Sequence, residues 1–115
     1  MKYGGEGQTE GGVQMGLGWA LTERYVFDEG GRMQNDTFAD YKMFGALDMP
    51  EMKTILVPTY EPSGPFGAKS VSEIPIDGPA PLLSNAVFDA IGVRFRELPI
   101  TPEKIWRALR EPKSS

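Results

Sequence analysis

Apolar residues recur at helical spacing in three parts of the chain. Val13, Leu17, Ala20 and Leu21 fall at i, i+4, i+7 and i+8, which is one face of a helix. The pattern predicts a helix that opens near Val13, frays near Phe27 and stops at Asp28-Glu29-Gly30-Gly31. Gly16 and Gly18 inside it each cost up to about 1 kcal/mol against alanine, so they mark the close approach of another backbone. Further along, Leu83, Val87, Ala90 and Ile91 follow Pro79-Ala80-Pro81. Prolines in a first turn lose no helical hydrogen bond, so a second helix is predicted there, ending near Gly92. Thr101-Pro102-Glu103 then supplies an N-cap, a proline at the first helical position and an acid in the first turn. It opens a last helix through Ile105, Ala108 and Leu109, closed by Pro112.

Between these helices the pattern changes. Residues 35–43 read as a short extended or irregular piece, and Pro50 disfavours helix at Met49. Thr54-Ile55-Leu56-Val57, closed by Pro58, is the best strand candidate. A single strand makes no sheet, so this segment needs partners that the chain hardly supplies. Residues 61–75 hold too many Gly and Pro for a regular element and predict a long loop, a kind of segment that often carries function. The fold class expected is α+β, about three helices with a few short strands, in a single unit spanning 1–115 with a disordered tail over 112–115.

Composition narrows the chemistry. The 115 residues contain Gly 14 and Pro 10, about a fifth of the chain and nearly twice the usual share. Cys 0 and His 0 exclude disulfides, thiolate nucleophiles, Ser-His-Asp triads and most transition-metal sites built from this chain's side chains. Carboxylates, Lys, Arg, Tyr and hydroxyls remain. A net charge of -4 argues against a nucleic-acid partner, since such surfaces carry basic excess. There is no apolar leader and no run of about 18 apolar residues, so the expectation is no membrane and a cytoplasmic location.

Two segments could carry chemistry. The glycine-rich stretch 4–12, leading into the first helix, would present free N–H groups as an anion site. Gln8 adds an amide that both donates and accepts. Neither the dinucleotide nor the P-loop motif is met, and a flexible glycine-rich lead-in explains the composition equally well. In the loop 64–75, Glu73 stands four residues after Lys69 and between Val71 and Ile74. An acid in apolar surroundings tends towards a raised pKa, as a general base requires, although a solvated loop acid has the same sequence. Met15, Met33, Met43, Met49 and Met52 fit no clustered ligand pattern and read as gap-filling core or surface residues. Trp19 and Trp106 read as packing residues.

The segments taken together are more specific than either alone. Gly7-Gln8-Thr9-Glu10-Gly11-Gly12, Gly16-Leu17-Gly18, Asp40-Tyr41-Lys42, Asp48-Met49-Pro50, Gly64-Pro65-Phe66-Gly67-Ala68-Lys69-Ser70-Val71-Ser72-Glu73-Ile74-Pro75, Asn85-Ala86 and Leu98-Pro99-Ile100-Thr101-Pro102 occur in one register. In that order the chain resembles the C-terminal end of the molybdenum-binding subunit of the xanthine dehydrogenase and aldehyde oxidase family, the molybdenum hydroxylases. The resemblance runs from Gly7 to about Leu109.

The resemblance implies that Glu73 is the catalytic general base. It would act on a metal-bound hydroxide or water that attacks an electron-poor carbon of an aldehyde or N-heterocycle, with hydride passing to a sulfido ligand. It further implies that Gln8 contacts the molybdopterin, and that Lys69, Ser70, Val71 and Ser72 form the cofactor-binding loop. The molybdenum would be held by the pterin dithiolene, in simple or cytosine-dinucleotide form, so no protein metal ligand is expected. Ser72 stands where the family usually has glycine, and a positive φ there would be strained by a Cβ. Phe44 stands where a proline commonly follows. The implied partners are the remainder of the molybdenum-binding subunit with iron–sulfur and FAD modules, and the cofactor is expected only in that complete complex, not tightly on this chain alone. Two other readings stay open: a non-catalytic remnant acting as an oligomeric or partner-binding module, homo-oligomers included, and a small nucleotide-binding module using the stretch 4–12.

Overall fold

The structure, a computed structural model, describes residues 2–110. Its helices are α1 (Lys2–Leu21), the single turn α2 (Ile74–Asp77), α3 (Pro79–Ile91) and α4 (Pro102–Arg110), with 3-10 turns at Ala46–Asp48 and Pro65–Gly67. Among the described residues there is no β-strand, only an isolated antiparallel bridge between Phe27 and Met33. The helices of the α+β expectation are found, while its short strands are not among the described residues. The β-branched run 54–57 is unpaired, with Ile55 and Val57 largely exposed and Leu56 lying against Gly5 of α1. A strand is a pairing, and no second segment comes alongside this one.

α1 overturns a second expectation. It opens at Lys2, not near Val13, so the glycine-rich stretch is helix interior although seven of the 20 residues are glycine. Intrinsic propensity opposes this, but tertiary packing outweighs it. At 100° per residue, Gly5, Gly12 and Gly16 share an arc of about 40°; all three are buried, with the chain packed on them. An added Cβ at Gly12 would lie 2.8 Å from Pro75 Cβ, and one at Gly16 2.6 Å from Pro79 Cγ and 2.9 Å from the Ile76 carbonyl oxygen. α2 and the start of α3 therefore rest on bare helix backbone, the close approach expected of Gly16. Gly18 instead faces a flexible side chain, that of Glu23.

α1 also ends before the expected Phe27. The Thr22 and Glu23 amides both donate to the Gly18 carbonyl at 2.8 Å, and the Thr22 hydroxyl donates to the Lys42 carbonyl at 2.6 Å. Beyond them, polar side chains capture the backbone locally, which competes with helix. The Asn35 amide donates to the Arg24 carbonyl and its oxygen accepts from the Val26 amide, while Asp28 accepts from the amides of Gly30 and Arg32.

α3 and α4 follow the pattern read from sequence. Gly92 closes α3 at φ 72°, donating to Phe88, and the Thr101 hydroxyl accepts from the Lys104 amide at 3.3 Å. The expected stop at Pro112 and the expected disordered tail lie outside the described residues. Among the described residues the buried hydrophobic ones are Leu17, Ala20 and Ile100, and the Ile100 amide donates to the Ala20 carbonyl at 2.7 Å, fastening α4's approach to the end of α1. Trp19 and Trp106 are more than half exposed, so neither packs as expected; the Arg110 guanidinium lies over the Trp106 ring.

So small a core leaves the molecule open. Its radius of gyration is 18.2 Å, against about 13 Å for a compact chain of this length. Its accessible surface is 9355 Å², against roughly 6,200 Å² for a folded monomer of this mass. No helix among the described residues is long and apolar enough to cross a membrane.

Candidate functional site

A cavity of about 690 Å³ opens where α1 meets α2 and the loop before it, lined by Gln8, Gly12, Met15, Ser70, Ser72, Glu73, Ile74, Ile76 and Asp77. Its two walls have different origins. On α1, Gln8, Gly12 and Met15 stand at i, i+4 and i+7, one edge of the helix. On the other side, Ser70, Ser72 and Glu73 come from the loop, and Glu73 is the residue immediately before α2. Pro75 in that first turn fits because its missing N–H would have had no partner there.

The structure thus brings four of the six candidate residues, Gln8, Ser70, Ser72 and Glu73, to one cavity. Lys69 and Val71 do not line it, and Glu73 is itself exposed, so the apolar surroundings expected of it are corrected. Met15 was missed as a wall residue, since opening the helix at Val13 hid its shared edge with Gln8. The glycine-rich stretch 4–12, a candidate anion site at the entry to a helix, lies inside α1, where its amides beyond the first turn donate along the helix.

Ser72 causes no strain. Among the described residues the one non-glycine with positive φ is Phe66, at 55°, so the position before Glu73 lies outside the left-handed region and accepts a Cβ. The turn that carries Phe66 closes on itself. Gly67 at φ 74° packs beneath the Tyr60 ring, its carbonyl accepts from the Glu61 amide at 3.1 Å, and the Glu61 carboxylate accepts from the hydroxyl and amide of Ser63. Those two bonds, the hydroxyl's first, hold Glu61 below its usual carboxylate range. The loop that delivers Glu73 therefore begins from an ordered turn.

The far side of α1 is tied down by polar contacts. Gln14 donates from Nε2 to the Phe44 carbonyl at 2.6 Å, and the Tyr41 hydroxyl donates to Glu23 Oε2 at 2.8 Å. The Glu23 hydrogen bond, with some desolvation and the charge of the carboxylate, raises the Tyr41 pKa above its ordinary 10.0. Among the described residues no group of three or more Asp or Glu is arranged to hold a metal ion. The donors offered to a ligand are an amide, hydroxyls and carboxylates.

The molybdopterin cofactor-binding domain family matches residues 4–50, the segment that holds most of α1. The xanthine dehydrogenase molybdenum-binding subunit of Escherichia coli O157:H7 is 40% identical over 102 residues, 88% of this chain and 14% of that protein. The carbon monoxide dehydrogenase large chain of Hydrogenophaga pseudoflava is 35% identical over 109 residues, 92% of this chain and 14% of that one. The chain belongs to the molybdenum hydroxylase family of molybdenum-binding subunits. The same family relation appears in three dimensions: the crystal structure of quinoline 2-oxidoreductase from Pseudomonas putida 86 superposes with a TM-score of 0.80 at 31% identity, covering 92% of this chain and 14% of that one. The chain spans 14% of the length of these relatives. Their names describe parts of larger enzymes, a subunit and a large chain.

Proposed function

We propose that this chain forms one wall of the molybdopterin pocket of a molybdenum hydroxylase, corresponding to the C-terminal end of the subunit, with Glu73 as general base and Gln8, Ser70 and Ser72 as pterin contacts. The observation that carries the reading is the meeting of Gln8 and Glu73, distant in sequence, across one cavity. The donor set suits the group. Gln8 can both donate to and accept from a heterocycle edge, and two serine hydroxyls adapt their protons to either need. When bound, the cofactor supplies a two-electron acceptor and Lewis acidity. The protein's part is to place a carboxylate where water must lose a proton as it attacks an aldehyde or N-heterocycle carbon, and Glu73 stands at the cavity lip able to take it. Lys69 and Val71 belong to the same loop but do not line this cavity.

The excess accessible surface, roughly 3,000 Å², is of the size buried in permanent interfaces. The remainder of a molybdenum-binding subunit is the occupant proposed for it, with iron–sulfur and FAD modules receiving the electrons. The test is Glu73→Gln in the enzyme assembled with that remainder, using xanthine or benzaldehyde with a dye acceptor. Loss of a general base is expected to lower turnover about 10²–10⁴-fold, with molybdenum and pterin content unchanged. Turnover within twofold of the parent would refute the assignment.

A further inference from the structure

We propose that Gly12 and Gly16 are positioning residues for Glu73: by carrying no side chain they set how deeply α2 sits against α1, and so where the carboxylate stands relative to Gln8. This rests on the reading of Glu73 given above. The contacts define the seat closely. A Cβ on Gly12 would come within 2.8 Å of Pro75 Cβ, 3.3 Å of the Ile76 nitrogen and 3.4 Å of the Pro75 carbonyl carbon. One on Gly16 would meet Pro79 Cγ at 2.6 Å, the Ile76 oxygen at 2.9 Å and Pro79 Cβ at 3.0 Å. These neighbours are proline rings and backbone, which cannot swing aside as the end of a long side chain can. Glu73 is two residues from Pro75 and three from Ile76, so a displacement of this turn is passed directly to the carboxylate. Misplacing a reacting group by about 1 Å can cost on the order of 10²-fold in rate.

Other glycines of α1 set the contrast. Gly4, Gly7 and Gly11 have nothing within 4 Å of an added Cβ and lie on a different arc of the helix from Gly12 and Gly16. Packing at residues 12 and 16, and not glycine content, is the constraint on the helix.

The experiment has two arms. In the assembled enzyme, Gly12→Ala is expected to lower kcat at least tenfold with KM and molybdenum content within twofold of the parent, while Gly4→Ala leaves all three unchanged. The size-compensating pair Gly12→Ala with Pro75→Gly removes the 2.8 Å contact and is expected to recover most of the lost kcat. A kcat within twofold of the parent for Gly12→Ala overturns the proposal. So does a loss that the paired variant does not recover, or a fall in molybdenum content that tracks the fall in rate, which would assign the glycines to assembly. The second arm needs no cofactor: in the full chain, nuclear Overhauser contacts between residue 16 and Pro79 are expected to weaken several-fold in Gly12→Ala and to return in the paired variant. Unchanged contacts overturn the positioning role whatever Glu73 does. A fully active Glu73→Gln with weakened contacts overturns the role of Glu73 and leaves the seat of α2 standing.

Discussion

The open glycines of α1 offer a direct test of how the first twenty residues fold. Gly4, Gly7 and Gly11 sit inside Lys2–Leu21 with empty space where a Cβ would go. In a helix interior each Gly→Ala replacement gains about 0.5–1 kcal/mol, chiefly by restricting the unfolded chain. The three positions share no tertiary neighbour but lie one turn apart on one helix face, so their effects sum to at most about 1.5–3 kcal/mol. For a domain of this size that raises the melting midpoint by roughly 6–12 °C. The assay is thermal and urea unfolding of the triple variant followed by far-ultraviolet circular dichroism, with Gly12→Ala alongside. The triple variant should be more stable with unchanged or greater helix content; Gly12→Ala should be less stable, because its Cβ meets Pro75. If the stretch were a flexible lead-in, neighbouring Gly11 and Gly12 would respond alike. Equal responses, or a triple variant no more stable than the parent, would refute the helix and the division of its glycines.

Two further outcomes follow from the core and from the Tyr41 hydrogen bond. Ile100 is fully buried, and Ile100→Ala should cost about 2–5 kcal/mol in urea unfolding; a change below about 0.5 kcal/mol would remove it from the core. Tyr41 donates to Glu23 and its pKa lies above 10.0 in the folded chain. The folded state therefore holds this proton more tightly than the unfolded state. Its contribution is complete below about pH 10 and is lost as pH rises through the folded value. The parent's melting midpoint should fall more steeply than that of Tyr41→Phe above about pH 10, and parallel curves would sink the assignment.

Much of the candidate site was legible because its parts are local. The glycines and prolines of residues 61–73 marked them as a largely irregular segment with Glu73 at its end, although Ile74 and Pro75, read as part of that loop, open α2. Both ends of α3 and the start of α4 were legible for the same reason: Pro79, Gly92, Thr101 and Pro102 each fix a backbone angle or a cap within a few residues. What the residues could not reveal was non-local. Glycine runs such as 4–12 read as a loop because propensity sums local costs, whereas burial of Gly5, Gly12 and Gly16 against Leu56, Pro75 and Pro79 decides otherwise. The run Thr54-Ile55-Leu56-Val57 read as a strand because β-branching favours extended backbone, yet pairing depends on a neighbour.

The sequence by itself thus determined the alphabet of the chemistry, an amide, hydroxyls and carboxylates without thiol or imidazole, and the caps and turns that close individual elements. Only the tertiary structure decided that Gln8 and Glu73 face one cavity, that Met15 joins them and that Lys69 and Val71 do not. The physical reason is range. A cap or a proline acts over one turn of chain, while the meeting of α1 and α2 depends on two backbones approaching at places where no Cβ intervenes.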